Sequence, residues 1–181
     1  MATVRRKCFI SYHHADEDEV HTFINTYDHL HNVFIYRGLG LGMEEDLINS
    51  NDTDYVMGEI RRRYLKDSTV TIVMVGRCTW ARRYVDWEIQ SSLRRGQTVT
   101  PNGLLGITLP STAGSATLPE RLAKNVIRNN GEDVGYALWY KYPSSTDSLS
   151  NMIEQAYARR STHQSVIVNP RERFRYNKSC G

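Results

Sequence analysis

Cysteine is scarce in this chain, and long apolar runs are missing. The three cysteines, Cys8, Cys78 and Cys180, lie far apart and include no Cys-x-x-Cys pair. That spacing predicts neither a disulfide framework nor a thiolate metal site, so we expect free thiols and a cytoplasmic protein. No apolar stretch approaches the ~20 residues of a transmembrane helix, and the short one near the N-terminus is interrupted by Ser11 and two histidines. We therefore expect neither a secretory leader nor a membrane partner.

An excess of charge of one sign is also nearly absent. Lys and Arg total 23 against 20 acidic residues, a net charge of +3. Residues 170–181 hold four basic side chains and one acidic one, so the rest of the chain is balanced at 19 of each. Non-specific nucleic-acid binding needs many clustered cations, so nucleic acid is an unlikely partner for the body of the chain. The alternation of arginine with Phe174 and Tyr176 fits base stacking or protein docking equally well.

The length and the 40% hydrophobic content fit one domain, which we place at residues 1–165, followed by a basic tail at 166–181. Short apolar runs alternate with helical periodicities, a pattern typical of a parallel sheet covered by helices. The predicted strands are Lys7–Tyr12, Val33–Tyr36, Val70–Val75, Leu104–Leu109 and Tyr136–Tyr140. Helices are predicted after Asp16, from Asp54 to Lys66, from Trp80, from Leu118 to Val126, and around Leu149 to Tyr157. The expected fold is α/β with about five mainly parallel strands.

The segment T-W-A-R-R-Y-V-D-W-E-I, from Thr79 to Ile89, is the most informative stretch. At ~100° per residue, Trp80, Tyr84, Trp87 and Glu88 share one sector of a helix beside an apolar core stripe. A carboxylate walled by aromatic rings loses hydration, and it then stabilises a developing cation more strongly than a solvated one does. The three aromatic side chains fit ordinary packing as well as stacking on a ligand.

Loops that follow the strands gather on one rim of an open α/β sheet, where ligands bind. The loop after Tyr36 contains Gly38, Gly40 and Gly42, which misses the dinucleotide fingerprint and fits either a loop with unusual backbone angles or a phosphate cradle. Five histidines fall around the first helix, but no cysteine or carboxylate completes a zinc-ligand spacing. They are His13, His14, His21, His29 and His31. We expect no metal and interpret these histidines as exposed polar residues.

Two motifs carry a family resemblance. The run K-C-F-I-S-Y with Asp16 downstream resembles the first strand and loop of Toll/interleukin receptor (TIR) domains. The segment from Thr79 to Ile89 is similar to the corresponding helix of the bacterial TIR-like family of the Thoeris antiphage system. The likeness spans roughly Arg6 to Arg160 and implies a flavodoxin-like sheet. It also implies cleavage of NAD with release of nicotinamide and formation of a cyclic ADP-ribose-type signal.

The resemblance assigns the catalytic role to Glu88. It also places the strand-end Ser11, with Tyr12 beside it, and the loop from Arg37 through Gly38 to Met43 at the nucleotide. Physical reasoning adds Trp80, Tyr84 and Trp87 as stacking candidates, and Arg37, Arg82 and Arg83 as partners for the diphosphate. NAD is the substrate in this interpretation, and no cofactor is required.

The expected partners follow from the same resemblance. They are NAD, further copies of the chain in a homo-oligomer, a phage-derived trigger, and an effector that senses the nucleotide product. A non-catalytic TIR-type adaptor remains the alternative, because it needs only exposed surfaces for assembly. A phosphate-handling receiver on the same fold is not favoured, since its clustered acids at the ends of the first and third strands are missing.

Overall fold

A parallel sheet forms the centre of the protein. The computed structural model describes residues 4–38 and 50–180, and its strands are β1 (Lys7–Ser11), β2 (Ile35–Arg37), β3 (Val70–Val75), β4 (Gly103–Thr108), β5 (Arg128–Asn129), β6 (Glu132–Asp133) and β7 (Leu138–Tyr140). Five of these strands pair in the order β2-β1-β3-β4-β7, and every neighbouring pair is parallel. The sheet confirms the predicted α/β, flavodoxin-like class. The antiparallel β5–β6 hairpin was not predicted.

Helices cover both faces of this sheet. They are α1 (Glu17–Ile24), α2 (Thr53–Glu59), α3 (Arg83–Ser92), α4 (Glu120–Ala123) and α5 (Thr146–Thr162). Helices α1 and α2 continue as π-helical turns at Asn25–Leu30 and Ile60–Leu65, and short 3-10 turns lie at His14–Asp16, Thr79–Ala81, Pro110–Thr112 and Gln164–Val166. The helix that was predicted to begin at Trp80 begins instead at Arg83, and Trp80 belongs to the separate 3-10 turn before it. Leu30 continues the helical spacing of the apolar residues Val20, Phe23 and Tyr27, which predicts burial, but 70% of its surface is exposed at the end of the π-helical turn.

Strand alternation sends neighbouring side chains of β3 to opposite cores. Ile72 packs with Phe23 of α1 and Ile153 of α5, whereas Val73 packs with Val85 of α3 on the other face. Helix α5 lies so close to β4 that a Cβ on Gly103 would be 2.2 Å from the backbone oxygen of Ala156. The core that contains Val73 and Val85 fixes α3 against the sheet, and α3 carries the candidate catalytic glutamate.

The C-terminal segment packs along α3. Gln90 Nε2 donates to the Pro170 carbonyl at 3.0 Å, and Trp87 Nε1 donates to the Phe174 carbonyl at 2.9 Å. The apolar run from Val166 to Val168 could have added an edge strand, but Gln164–Val166 is a 3-10 turn and residues 164–180 hold no strand. The proposed boundary at residue 165 stays a prediction, but the segment after it is docked on the domain.

Candidate functional site

A cavity of about 480 Å³ opens at the carboxyl ends of β1 and β2. Ligand pockets in proteins commonly measure from about 300 to 1,000 Å³, so the space suits a nucleotide-sized molecule. Its walls come from β1, from the chain after β1 and β2, from α3, and from the C-terminal segment: Phe9, Ile10, Tyr12, His13, His14, Tyr36, Gly38, Tyr64, Arg82, Tyr84, Val85, Glu88 and Asn177. The chain adds β2 on one side of β1 and then β3 on the other side, so the strand order reverses at β1. The cavity lies at this point, which is the usual ligand position in this architecture.

Glu88 points into this cavity from α3. Val85 and Ile89 anchor the buried face of the helix, which leaves Glu88 beside the core and in contact with β1. Ser11 is the last residue of β1 and is 1% exposed, and its Oγ donates a hydrogen bond of 2.6 Å to Glu88 Oε2. The sequence-predicted pair of Ser11 and Glu88 is thus brought together across 77 residues.

Burial raises the pKa of Glu88 from its usual 4.5 to about 8, and the hydrogen bond from Ser11 opposes that shift. The carboxyl group therefore holds its proton at neutral pH. A positively charged substrate group placed beside it would favour the ionised form, since an opposite charge stabilises a carboxylate.

Two tyrosines that the sequence interpretation did not assign to the site also lie at the cavity. Burial raises the pKa of Tyr36, and the nearby Glu88 charge adds to the effect. Gly38 permits this arrangement, because a Cβ there would lie 2.4 Å from the Tyr36 hydroxyl oxygen. Tyr64 follows α2 and is 6% exposed. With Tyr12 and Tyr84, these rings give the cavity an aromatic lining that suits a planar heterocycle.

His13 and His14 line the cavity; His14 is exposed, as expected, whereas His13 is half-buried. They precede α1, in a loop that Asp16 ties to the chain after β3 through a 3.4 Å contact with the Thr79 hydroxyl. Burial lowers the pKa of His13, and the charge of Arg82 lowers it further. The sequence feature that could have assigned both histidines to the site is their position directly after β1. Among residues 4–38 and 50–180, no group of three or more His, Cys, Asp or Glu could hold a metal ion.

Other predicted residues take different positions. Arg37 lies outside the cavity lining, and its Nε contacts Asp67 Oδ2 at 3.2 Å. Trp80 is also outside the lining, so the predicted nucleotide contacts of both residues stay predictions. Trp87 is outside the lining too: it is 3% exposed, packs with Phe9 and Tyr64, and donates to the C-terminal segment, which fits the packing alternative. Residues 39–43 of the predicted loop lie outside the described residues.

The C-terminal segment contributes to the site in a way that the sequence interpretation missed. Asn177 lines the cavity, and its Oδ1 accepts the backbone N–H of Arg83 at 3.0 Å, which satisfies a free donor in the first turn of α3. The Lys178 N–H donates to the Ala81 carbonyl at 2.8 Å. No local motif announces these contacts, since they join residues about a hundred positions apart in the chain.

Cys78 and Cys180 form a disulfide, with 5.7 Å between their Cα atoms. The expectation of three free thiols is therefore wrong for this pair, and only Cys8, which is buried, is free. The physical reason is the docking of the C-terminal segment, which brings Cys180 beside the loop after β3. Among the helices in the described parts of the chain, none is long and apolar enough to cross a membrane.

Comparison with known proteins gives one family. The sequence model described as "Thoeris protein ThsB, TIR-like domain" matches residues 9–113, more than half of the chain. This range runs from the third residue of β1 to beyond β4, includes Ser11 and Glu88, and confirms the resemblance carried by the two motifs. A search of curated proteins gave no match. The chain belongs to the TIR-like family of the Thoeris protein ThsB.

Proposed function

We propose that this chain cleaves the nicotinamide–ribose bond of NAD in antiphage defence and converts the remainder into a cyclic ADP-ribose-type signal. The observation that carries the proposal is the placement of Glu88, hydrogen-bonded to Ser11, in a nucleotide-sized cavity at the carboxyl ends of the strands. Family membership supports the defence context. The proposal places the reaction in the cytoplasm, with NAD as substrate and without a cofactor.

The chemistry follows from the substrate. When the bond from ribose C1′ to the pyridinium nitrogen breaks, its electron pair stays on nitrogen, and nicotinamide leaves neutral without an acid. The ribose becomes an oxocarbenium-like cation, the type of transition state that carboxylates stabilise in glycoside hydrolysis. The Glu88 carboxylate stabilises this cation and orients the ribose hydroxyls. Attack on C1′ by a nitrogen of the adenine ring gives a cyclic product, whereas attack by water gives linear ADP-ribose.

The remaining cavity residues bind and shield the substrate. Tyr12 and Tyr84 offer ring faces for stacking, and the Arg82 guanidinium suits the diphosphate. Residues that exclude water favour cyclisation over hydrolysis, since both nucleophiles compete for the same carbon. The C-terminal segment belongs to this wall through Asn177. In a reducing cytoplasm, contacts of Arg121 with the Pro170 and Glu172 carbonyls hold the segment independently of the disulfide.

The product mass tests the proposal. Purified protein is incubated with NAD, with and without lysate from phage-infected cells, and nucleotides are separated with mass detection. The proposal predicts nicotinamide release and a product equal in mass to NAD minus nicotinamide, with dependence on lysate if a phage component is the trigger. A product heavier by one water would mean hydrolysis. No turnover by folded protein in either condition would favour the non-catalytic adaptor, which assembles with other TIR surfaces.

The rate of NAD cleavage should increase with pH. Burial raises the pKa of Glu88 to about 8, so the free enzyme carries the reactive carboxylate only above that pH. We expect kcat/KM to rise about tenfold per pH unit below an apparent pKa near 8 and to level off above it. The rise of kcat with pH should occur at lower pH than the rise of kcat/KM, because the pyridinium charge of bound NAD favours the ionised form of Glu88. A pH-independent kcat/KM between 5 and 9 would contradict this account.

Ser11→Ala should move the rise of kcat/KM with pH to higher pH. The Ser11 hydroxyl stabilises the ionised form of Glu88, so its removal raises the pKa further. Activity at pH 7 should therefore fall more than activity at pH 9. The matched control is Ser161→Ala, at an exposed position on α5, which should leave the profile unchanged. An equal loss at all pH values would show that Ser11 acts by some means other than the ionisation of Glu88.

A further inference from the structure

A second and larger cavity lies on the other side of α3. It has a volume of about 590 Å³ and shares no lining residue with the Glu88 cavity. Five arginines line it from three parts of the chain: Arg61 after α2, Arg94 and Arg95 after α3, and Arg171 and Arg173 in the C-terminal segment. The one acidic residue in its lining, Asp54, is 95% exposed and lies 3.8 Å from Arg173.

Two of these arginines make contacts within the protein: Arg95 Nη1 donates to the Gln164 carbonyl at 2.6 Å, and Arg173 lies near Asp54. In the described parts of the chain, the side chains of the other three, Arg61, Arg94 and Arg171, form no hydrogen bond and no ion pair. Burial lowers the pKa of Arg61, and the charges of Arg94 and Arg173 lower it further, so the guanidinium groups repel one another. The negative C-terminal end of the α3 dipole stabilises the cations Arg94 and Arg95, but it does not explain the other three arginines. An anion in the cavity would relieve the repulsion of Arg61 by Arg94 and Arg173.

The lining points to the kind of anion. Guanidinium groups bind phosphate through paired hydrogen bonds, and several from different directions match a chain of phosphates. The partly exposed Ile167, with the buried Met57 and Leu93 behind it, gives the cavity an apolar floor that suits a nucleobase. The concave shape and limited volume favour a small molecule over a nucleic-acid strand. We propose that this cavity binds a nucleoside diphosphate or triphosphate, as a site separate from the Glu88 cavity.

Calorimetric titration of the full chain tests the proposal, with ATP, ADP, inorganic pyrophosphate, adenosine and a short single-stranded RNA as probes. ATP and ADP should bind, and adenosine should not. Arg61→Gln and Arg94→Gln should each weaken ATP binding about tenfold or more, the factor expected for one charged hydrogen bond to phosphate. Arg128→Gln, an exposed site on the β5–β6 hairpin, is the matched control and should bind normally. Glu88→Gln should also bind ATP normally, because it alters the other cavity.

Thermal unfolding separates a binding role from a structural one. Without ligand, Arg61→Gln and Arg94→Gln should melt at or above the wild-type temperature, because each removes like-charge repulsion. ATP should raise the melting temperature of the wild type and not that of the variants. The proposal is overturned if ATP does not bind saturably or if both variants bind it normally. It is also overturned if pyrophosphate binds as tightly as ATP, which would indicate a bare phosphate site, or if RNA binds more tightly.

Discussion

Glu88→Gln should reduce nicotinamide release by about 10² to 10³-fold or more, the cost of losing one aimed electrostatic stabiliser. Gln matches the shape of Glu and still accepts the 2.6 Å hydrogen bond from Ser11, so the cavity should keep its form. What the variant loses is the negative charge that opposes the ribose cation. The loss should appear in kcat, while NAD still binds, because stacking and diphosphate contacts are retained.

The same variant should keep its fold, with a stability difference that depends on pH. The pKa of Glu88 is raised from 4.5 to about 8, so between these values the unfolded chain has released a proton that the folded chain retains. The free energy of unfolding of the wild type therefore falls as pH rises through this window, by up to about 1.4 kcal/mol per unit. Glu88→Gln lacks this dependence, and its melting temperature relative to the wild type should increase from pH 5 to pH 8.

The control for this prediction is Glu132→Gln, an exposed glutamate on β6. It removes the same charge at a position away from the cavity and should retain wild-type activity at every pH. Full activity in folded Glu88→Gln would contradict the catalytic assignment. An equal loss in the two variants would show that net charge, and not the placement of the carboxylate, controls the rate.

Arg121→Met should lower the free energy of unfolding by about 3–5 kcal/mol, the usual cost of leaving one member of a buried ion pair alone. The Arg121 and Asp86 side chains are 4% and 7% exposed and are joined at 2.9 Å. Arg121 also donates to the carbonyls of Pro170 and Glu172, and Asp86 accepts the Phe174 N–H at 3.1 Å. This one guanidinium therefore links α4, α3 and the C-terminal segment.

Denaturant unfolding measures the loss, and limited proteolysis locates it. Trypsin should cleave the variant after the arginines of residues 171–175 faster than the wild type, because the segment is released from α3. Arg128→Met is the matched control, since the Arg128–Asp133 pair has 56% and 22% exposed side chains and should contribute about 1 kcal/mol or less. If Arg121→Met unfolds within about 1 kcal/mol of the wild type, the buried pair does not hold the segment.

The sheet could be predicted from the sequence because its signals are local. Val70–Val75 is a continuous apolar run with the predicted bounds, and the other four sheet strands lie within two residues of expectation at each end. A strand buried on both faces leaves such a run in the sequence. The β5–β6 hairpin, two residues per strand and mostly exposed, has no apolar pattern and could not be found this way.

Part of the site could be predicted for the same reason. Ser11, Tyr12, Gly38 and Glu88 meet because parallel strands end at one edge of the sheet, where α3 begins. Helical spacing alone could not decide whether Trp87 packs or stacks on a ligand; its buried indole donates to the Phe174 carbonyl in the C-terminal segment. The contributions of Asn177 and of the Cys78–Cys180 bond depend on the docking of that segment, a contact without a local sequence signal.

The central claim is that the Glu88 carboxylate carries the cleavage of NAD. Single-turnover nicotinamide release, with enzyme in excess over NAD at pH 8.5 and with infected-cell lysate present, tests it most directly because product release cannot mask the chemical step. The account predicts rapid release by the wild type, none above background by Glu88→Gln, and wild-type release by Glu132→Gln. Equal release by the wild type and Glu88→Gln would contradict it.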